Sequence, residues 1–198
     1  MKIVGLTGSI GVGKSMASDI FKNELNVPII DADMLSFNAV KKGSKALEEI
    51  KLIFGDEVID ADGNLDRKKM GAIVFDDEEK REQLNNIIHP RVLEEFDKEV
   101  DFYREQEREV VIFDCPLLLE ERVEGLVDIV LVIIADFEIQ LDRIVKRDKV
   151  TPFEAKKRIN SQMSQEEKIK RADYVIENNS TYEDLKKKIM IFYEKVLA

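Results

Sequence analysis

Residues 8–15 read Gly-Ser-Ile-Gly-Val-Gly-Lys-Ser and match the pattern G-x-x-x-x-G-K-[ST] at every fixed position. That loop needs a strand before it and a helix after it, which commits the start of the chain to one arrangement. The flanks agree. Residues 2–7 form a short apolar run suited to a buried strand, and residues 15–21 place Met16, Ile20 and Phe21 on one helical face. Gly8 and Gly13 allow backbone angles that a side chain forbids, so successive N–H groups can wrap an anion. Lys14 then reaches the phosphates as a point charge, and the Ser15 hydroxyl is placed for Mg²⁺. The helix is expected to begin near Lys14, its positive end toward the phosphates. A chain of this length meets the bare pattern by chance roughly one time in a hundred, so a Gly-rich turn that binds nothing is the weaker reading.

The net charge of −10 on 198 residues argues against general nucleic-acid affinity, which needs a basic face. Binding a polyanion then requires cations concentrated locally. One cysteine, Cys115, excludes an intrachain disulfide and fits a reducing compartment. No segment has the ~18 apolar residues needed to span a bilayer, and the N-terminus reads as a core strand rather than a signal peptide. A cytoplasmic protein without membrane attachment is expected, either a monomer or a small homo-oligomer.

Five continuous apolar, β-branched runs, at 3–7, 27–30, 110–113, 129–134 and 174–176, predict strands buried on both faces of a parallel sheet. Helical sequence at 16–23, 80–106, 138–146 and 182–196 separates or follows them, so an α/β fold is expected. Ligands gather at the carboxyl ends of such strands. The core is expected at 1–33, 108–140 and 172–198. The largely helical 34–107 is too long for a simple crossover and is expected to form an acceptor-binding lobe. Residues 141–171 hold ten Lys and Arg against five carboxylates, a local excess of +5, which suits a lid closing on phosphates.

Phosphoryl transfer needs positioning, charge neutralisation and a group that orients or deprotonates the acceptor. Asp31 and Asp33 follow the second strand. Extended alternation puts them on one side, where one could take the acceptor proton while the other fixes a neighbour or a metal-bound water; the plainer reading is a pair of turn carboxylates capping the next helix. Asp114 ends the third strand, where such folds hold Mg²⁺ through water. His89 is the only histidine and cannot build a zinc site alone.

Beyond the loop, Ile30-Asp31-Ala32-Asp33, Phe54-Gly55, the turn from Asp62 to Arg67, Ile88-His89-Pro90, the run from Asp114 to Glu120, Arg143, Arg147, Arg158 and Gln162, and Lys168 with Ala172-Asp173-Tyr174-Val175-Ile176 and Asn178 recur in order. Together they resemble the dephospho-coenzyme A kinase family nearly end to end. The resemblance implies a three-layer α/β/α nucleoside-kinase-type P-loop fold with a five-stranded parallel sheet, a helical acceptor lobe and a lid. It implies ATP-dependent phosphorylation of the ribose 3′-hydroxyl of dephospho-coenzyme A, with Mg²⁺ held by Ser15 and Asp114. By the same resemblance, Asp33, Lys14 and Arg147 are catalytic. Gly8, Ser9, Ile10, Gly11, Val12, Gly13, Lys14, Ser15, Met16, Arg147 and Asn178 meet ATP, with Asn178 near adenine. Asp31, Asp33, His89 and Leu117 meet the acceptor. The chain departs from the family at Phe37, where Arg or His is frequent, so a basic contact to the acceptor is either missing or replaced, with Lys41 and Arg91 the candidates. Another nucleoside-monophosphate-type kinase, or a nucleotide-binding switch without transfer activity, are the alternatives.

Overall fold

The computed structural model describes residues 1–75 and 77–197. Its sheet is built from β1 Lys2–Thr7, β2 Ile29–Asp31, β3 Val110–Asp114, β4 Ile129–Ile134 and β5 Tyr174–Glu177, parallel and in the order β2-β3-β1-β4-β5. β1 lies at the centre, with Leu6 beside Asp114 of β3 and Thr7 beside Val132 of β4. Consecutive strand residues point to opposite faces, and all five residues of β3 are buried, so the sheet is covered on both sides there; at the edge strand β5 only Ile176 is buried, because one flank of an edge strand lacks a neighbour. β2 starts two residues later than its apolar run because Pro28 has no N–H to donate, although its carbonyl accepts from Ile112.

Two compact units result, residues 1–30 with 103–198 and residues 31–102. In the sheet unit, α1 Lys14–Asn23 and α9 Tyr182–Phe192 contribute Ala17, Ile20, Phe21, Leu185, Ile189 and Phe192 to the main core, against Val4, Leu6, Leu131 and Ile133 of the strands. α9 ends at Phe192, and residues 193–197 continue as a wider π-type turn rather than as α-helix to 196. α6 Phe137–Asp148, α7 Pro152–Asn160 and α8 Gln165–Lys170 fill the cationic stretch.

The second unit is helical, with α2 Ala32–Ala39, α3 Lys45–Phe54, α4 Arg67–Val74 and most of α5 Glu78–Glu105. Its own core joins Val40, Ile50, Phe54, Val58, Met70 and Ile87. Caps define these helices: Ser44 accepts from the Leu47 N–H and Asp66 from the Lys69 N–H. Pro90 lies inside α5 and removes one i→i−4 hydrogen bond there. No helix among the described residues is long and apolar enough to cross a membrane.

Candidate active site

The Gly-rich loop leaves β1 and enters α1, which starts at Lys14. Gly13 is left-handed, with φ 91°, and a Cβ there would collide with Asn178 Nδ2, so both conformation and space demand glycine. Gly8 is needed for space: a Cβ would stand 2.6 Å from the Ile133 carbonyl oxygen. The reason expected at Gly8, an unusual backbone angle, gives way to this close approach to β4. Ser9, at a variable position of the loop, has a buried hydroxyl with no hydrogen-bond partner among the described residues. Ser15 and Met16 open α1 and are exposed.

Lys14 Nζ is bonded to Asp114 Oδ1, with both side chains largely buried. β3 and β1 are neighbours in register, which brings the end of β3 to the loop. An ammonium and a carboxylate thus meet where triphosphate and cation would be handled. Asp114 gives this corner a hard oxygen donor, and Ser15, exposed in the first turn of α1, offers a second on the residue after Lys14. Among the described residues no cluster of three or more His, Cys, Asp or Glu could hold a metal alone. Such a sparse oxygen set fits Mg²⁺, which takes one or two protein oxygens and completes its shell with phosphates and water. Cys115 is buried and Leu117 exposed in the turn that follows β3.

Asn178 is 1% exposed, directly after β5, and its Nδ2 donates to the Val12 carbonyl at 2.7 Å. Its side chain therefore touches the phosphate loop rather than standing open for a base. Arg143 Nη1, on α6, reaches the same carbonyl at 3.2 Å. Arg147, in the last turn of α6, grips Asp148 through Nε at 2.7 Å and Nη2 at 3.1 Å, and Arg158 of α7 shares that carboxylate at 2.7 Å. The hydrogen bond from Arg147 holds the Asp148 carboxyl below the usual carboxylate range, and Asp148 in turn raises Arg147.

Several cations of 141–171 are paired. Lys146 pairs with Asp142, and Lys168, 1% exposed at its side chain, takes both oxygens of Glu120 at 2.6 and 2.7 Å. Arg171 pairs with Glu124 and donates to the Leu119 carbonyl. Gln165 bonds both the N–H and the carbonyl of Ala135, at 3.0 and 2.9 Å. α8 is thereby fastened to the turn after β3 and the end of β4.

In the helical unit, Asp31 caps α2, accepting from the N–H groups of Asp33 at 2.8 Å and Met34 at 3.0 Å. α2 begins at Ala32, so the two carboxylates do not alternate along a strand: Asp33 sits in the first helical turn. Its carboxylate is exposed and has no partner among the described residues. His89 is exposed on α5, directly before Pro90. The Arg67 guanidinium stands 5.0 Å over the Phe37 ring, a cation that the sequence reading overlooked. Lys41 and Arg91 instead line a hollow of about 320 Å³ with Asn38, Ser44 and Lys45, where Arg91 bonds Glu94 at 2.9 Å.

A sequence-family model described as dephospho-CoA kinase matches residues 2–184. A dephospho-CoA kinase of Bacillus cereus is 45% identical over 193 residues, spanning 98% of this chain and 96% of its own. Among solved structures, TT1252 from Thermus thermophilus aligns with TM-score 0.85 and 30% identity, covering 100% of this chain and 98% of its own. A dephospho-CoA kinase from Campylobacter jejuni aligns with TM-score 0.74 and 28% identity, covering 98% and 96%.

Proposed function

Since the chain belongs to the dephospho-CoA kinase family, a family of ATP-dependent transferases that complete coenzyme A synthesis, we propose how its own residues carry out that transfer. The observation that carries the reading is the loop 8–15 joined to Asp114 through Lys14. The N–H groups of the loop and the start of α1 bind the β- and γ-phosphates of ATP. Lys14 and Arg147 supply positive charge as the γ-phosphoryl group moves. Asp33, exposed and without a partner among the described residues, receives the proton of the acceptor's ribose 3′-hydroxyl. That oxygen attacks the γ-phosphorus, the bond to the bridging oxygen breaks, and ADP leaves with coenzyme A as the other product.

Ser15 and Asp114 would hold Mg²⁺ beside the phosphates. When bound, the ion neutralises phosphate charge, and the protein's share is to supply those two oxygens. Arg158 approaches from α7 through the Asp148 carboxylate it shares with Arg147. His89 and Asp31 of the helical unit, and Leu117 of the sheet unit, are each assigned to the acceptor by the family resemblance, with Asp31 acting chiefly through its cap on α2. The chain works in the cytoplasm, as a monomer or small homo-oligomer, on small molecules and not on nucleic acid.

The test is ATP consumption with Mg²⁺, with and without dephospho-coenzyme A, and identification of the product by mass. A strong acceptor-dependent rate yielding coenzyme A is expected. ATP binding with no stimulation by that acceptor would overturn the proposal.

A further inference from the structure

A phosphate loop binds mainly through backbone N–H groups, so its function depends on where those groups point. A trans peptide is planar, with its carbonyl and N–H directed oppositely. Whatever holds a loop carbonyl therefore sets the direction of the following residue's N–H. Two buried amide side chains do this here. Gln140 Nε2, from α6, donates to the Ile10 carbonyl, which shares its peptide with the Gly11 N–H. Asn178 Nδ2 donates at 2.7 Å to the Val12 carbonyl, which also accepts from Arg143 Nη1 at a longer 3.2 Å and shares its peptide with the Gly13 N–H.

The N–H groups alternate accordingly. Ile10 N–H is taken by Gln162 Oε1 at 2.7 Å, and Val12 N–H by the Ser9 carbonyl at 3.3 Å. Those of Gly11 and Gly13 have no partner among the described residues. Both side chains lie directly beneath the loop. A Cβ on Gly11 would approach Gln140 Cγ to 3.0 Å, and one on Gly13 would strike Asn178 Nδ2. Gln140 is 0% and Asn178 1% exposed, so neither has water as a competing partner.

We propose that Gln140 and Asn178 are positioning residues for the nucleotide's phosphates: they hold the Ile10 and Val12 carbonyls from behind and so aim the Gly11 and Gly13 N–H groups at the anion. The inference rests on residues 8–15 being the phosphate site of ATP. It assigns the Asn178 side chain to the loop and not to the base.

The test uses Gln140→Met and Asn178→Leu, which keep volume and charge while removing the donor. Calorimetric titration of each full-length variant uses three probes: ATP, inorganic tripolyphosphate and adenosine. ATP and tripolyphosphate should each bind tenfold or more weaker, adenosine within twofold of the wild type. The KM for ATP should rise by a similar factor with kcat at saturation nearly kept. Unchanged affinity for all three probes would overturn the proposal, and so would equal losses for adenosine and ATP. If either variant fails to fold, Gln140→Leu and Asn178→Ala carry the same adenosine comparison. A wild-type chain that binds neither ATP nor tripolyphosphate would remove the phosphate-site reading and this inference with it. Wild-type binding with unaltered variants would remove the inference alone.

Discussion

Asp33 shows how one residue's role follows from its neighbour. Asp31 spends its carboxylate on two backbone N–H groups, which leaves Asp33 exposed in the first turn of α2 with an unengaged side chain. If it takes the acceptor proton, Asp33→Asn should lower kcat by about a hundredfold or more, with the KM for ATP nearly unchanged. Steady-state kinetics in both substrates checks this, and near-normal turnover would exclude Asp33 as the base. The Arg67 guanidinium lies over the Phe37 ring from 30 positions away in sequence, which makes it a candidate cation for the acceptor. Arg67→Ala should raise the KM for dephospho-coenzyme A roughly tenfold, as loss of a charged contact would, and leave the KM for ATP alone. Lys14 and Ser15 were legible because the loop motif names them. Gln140 left a fainter signal, an amide four residues before Ile144 on the buried face of α6.

Among the elements, α7 owes its start to a reciprocal cap. Thr151 Oγ1 accepts from the Glu154 N–H, and Glu154 accepts from the Thr151 N–H, with Pro152 preset for the first turn. Thr151→Ala should cost about 1 kcal/mol of local helix stability. Hydrogen exchange should then show the α7 amides opening about fivefold more often, while those of β1 and β4 stay protected. α8 is held differently, by the buried Lys168–Glu120 pair. Lys168→Met strands a largely buried carboxylate, at a cost of about 3–5 kcal/mol. For a chain of this size that lowers Tm by roughly 10 °C, and Glu120→Gln in the same chain should recover a good part of it, as thermal melts would register. Strand positions were legible from their apolar runs. The late start of β2 turned on Pro28, and the end of α9 on a wider turn that propensity does not signal.

Over the whole molecule, charge is managed by pairing. Glu24 is held below the usual carboxylate range by its hydrogen bond from Lys186, Asp66 by the Lys69 N–H, Asp148 by Arg147 and Glu154 by the Thr151 N–H. A carboxyl whose folded pKa is depressed contributes stability above its unfolded value, near 4, and loses it as pH falls through the folded value. Tm should therefore be flat between about pH 6 and 8 and decline below about pH 5, as a melting series in matched salt would show. The local excess of +5 in 141–171 suggested a cationic lid. Several of those cations instead meet carboxylates or loop carbonyls, and that pairing was not visible from the composition of 141–171 alone.

The Gly-rich loop between β1 and α1, the parallel α/β plan and the carboxylates of Asp31 and Asp114 at strand ends could be read from the chain alone, because these are written within a few neighbouring residues. What holds the loop in shape came from long-range packing. Gln140, Gln162 and Asn178 reach it across 130, 152 and 166 residues. A buried amide takes whichever backbone group packing brings within hydrogen-bond distance, and no local pattern encodes a partner that distant.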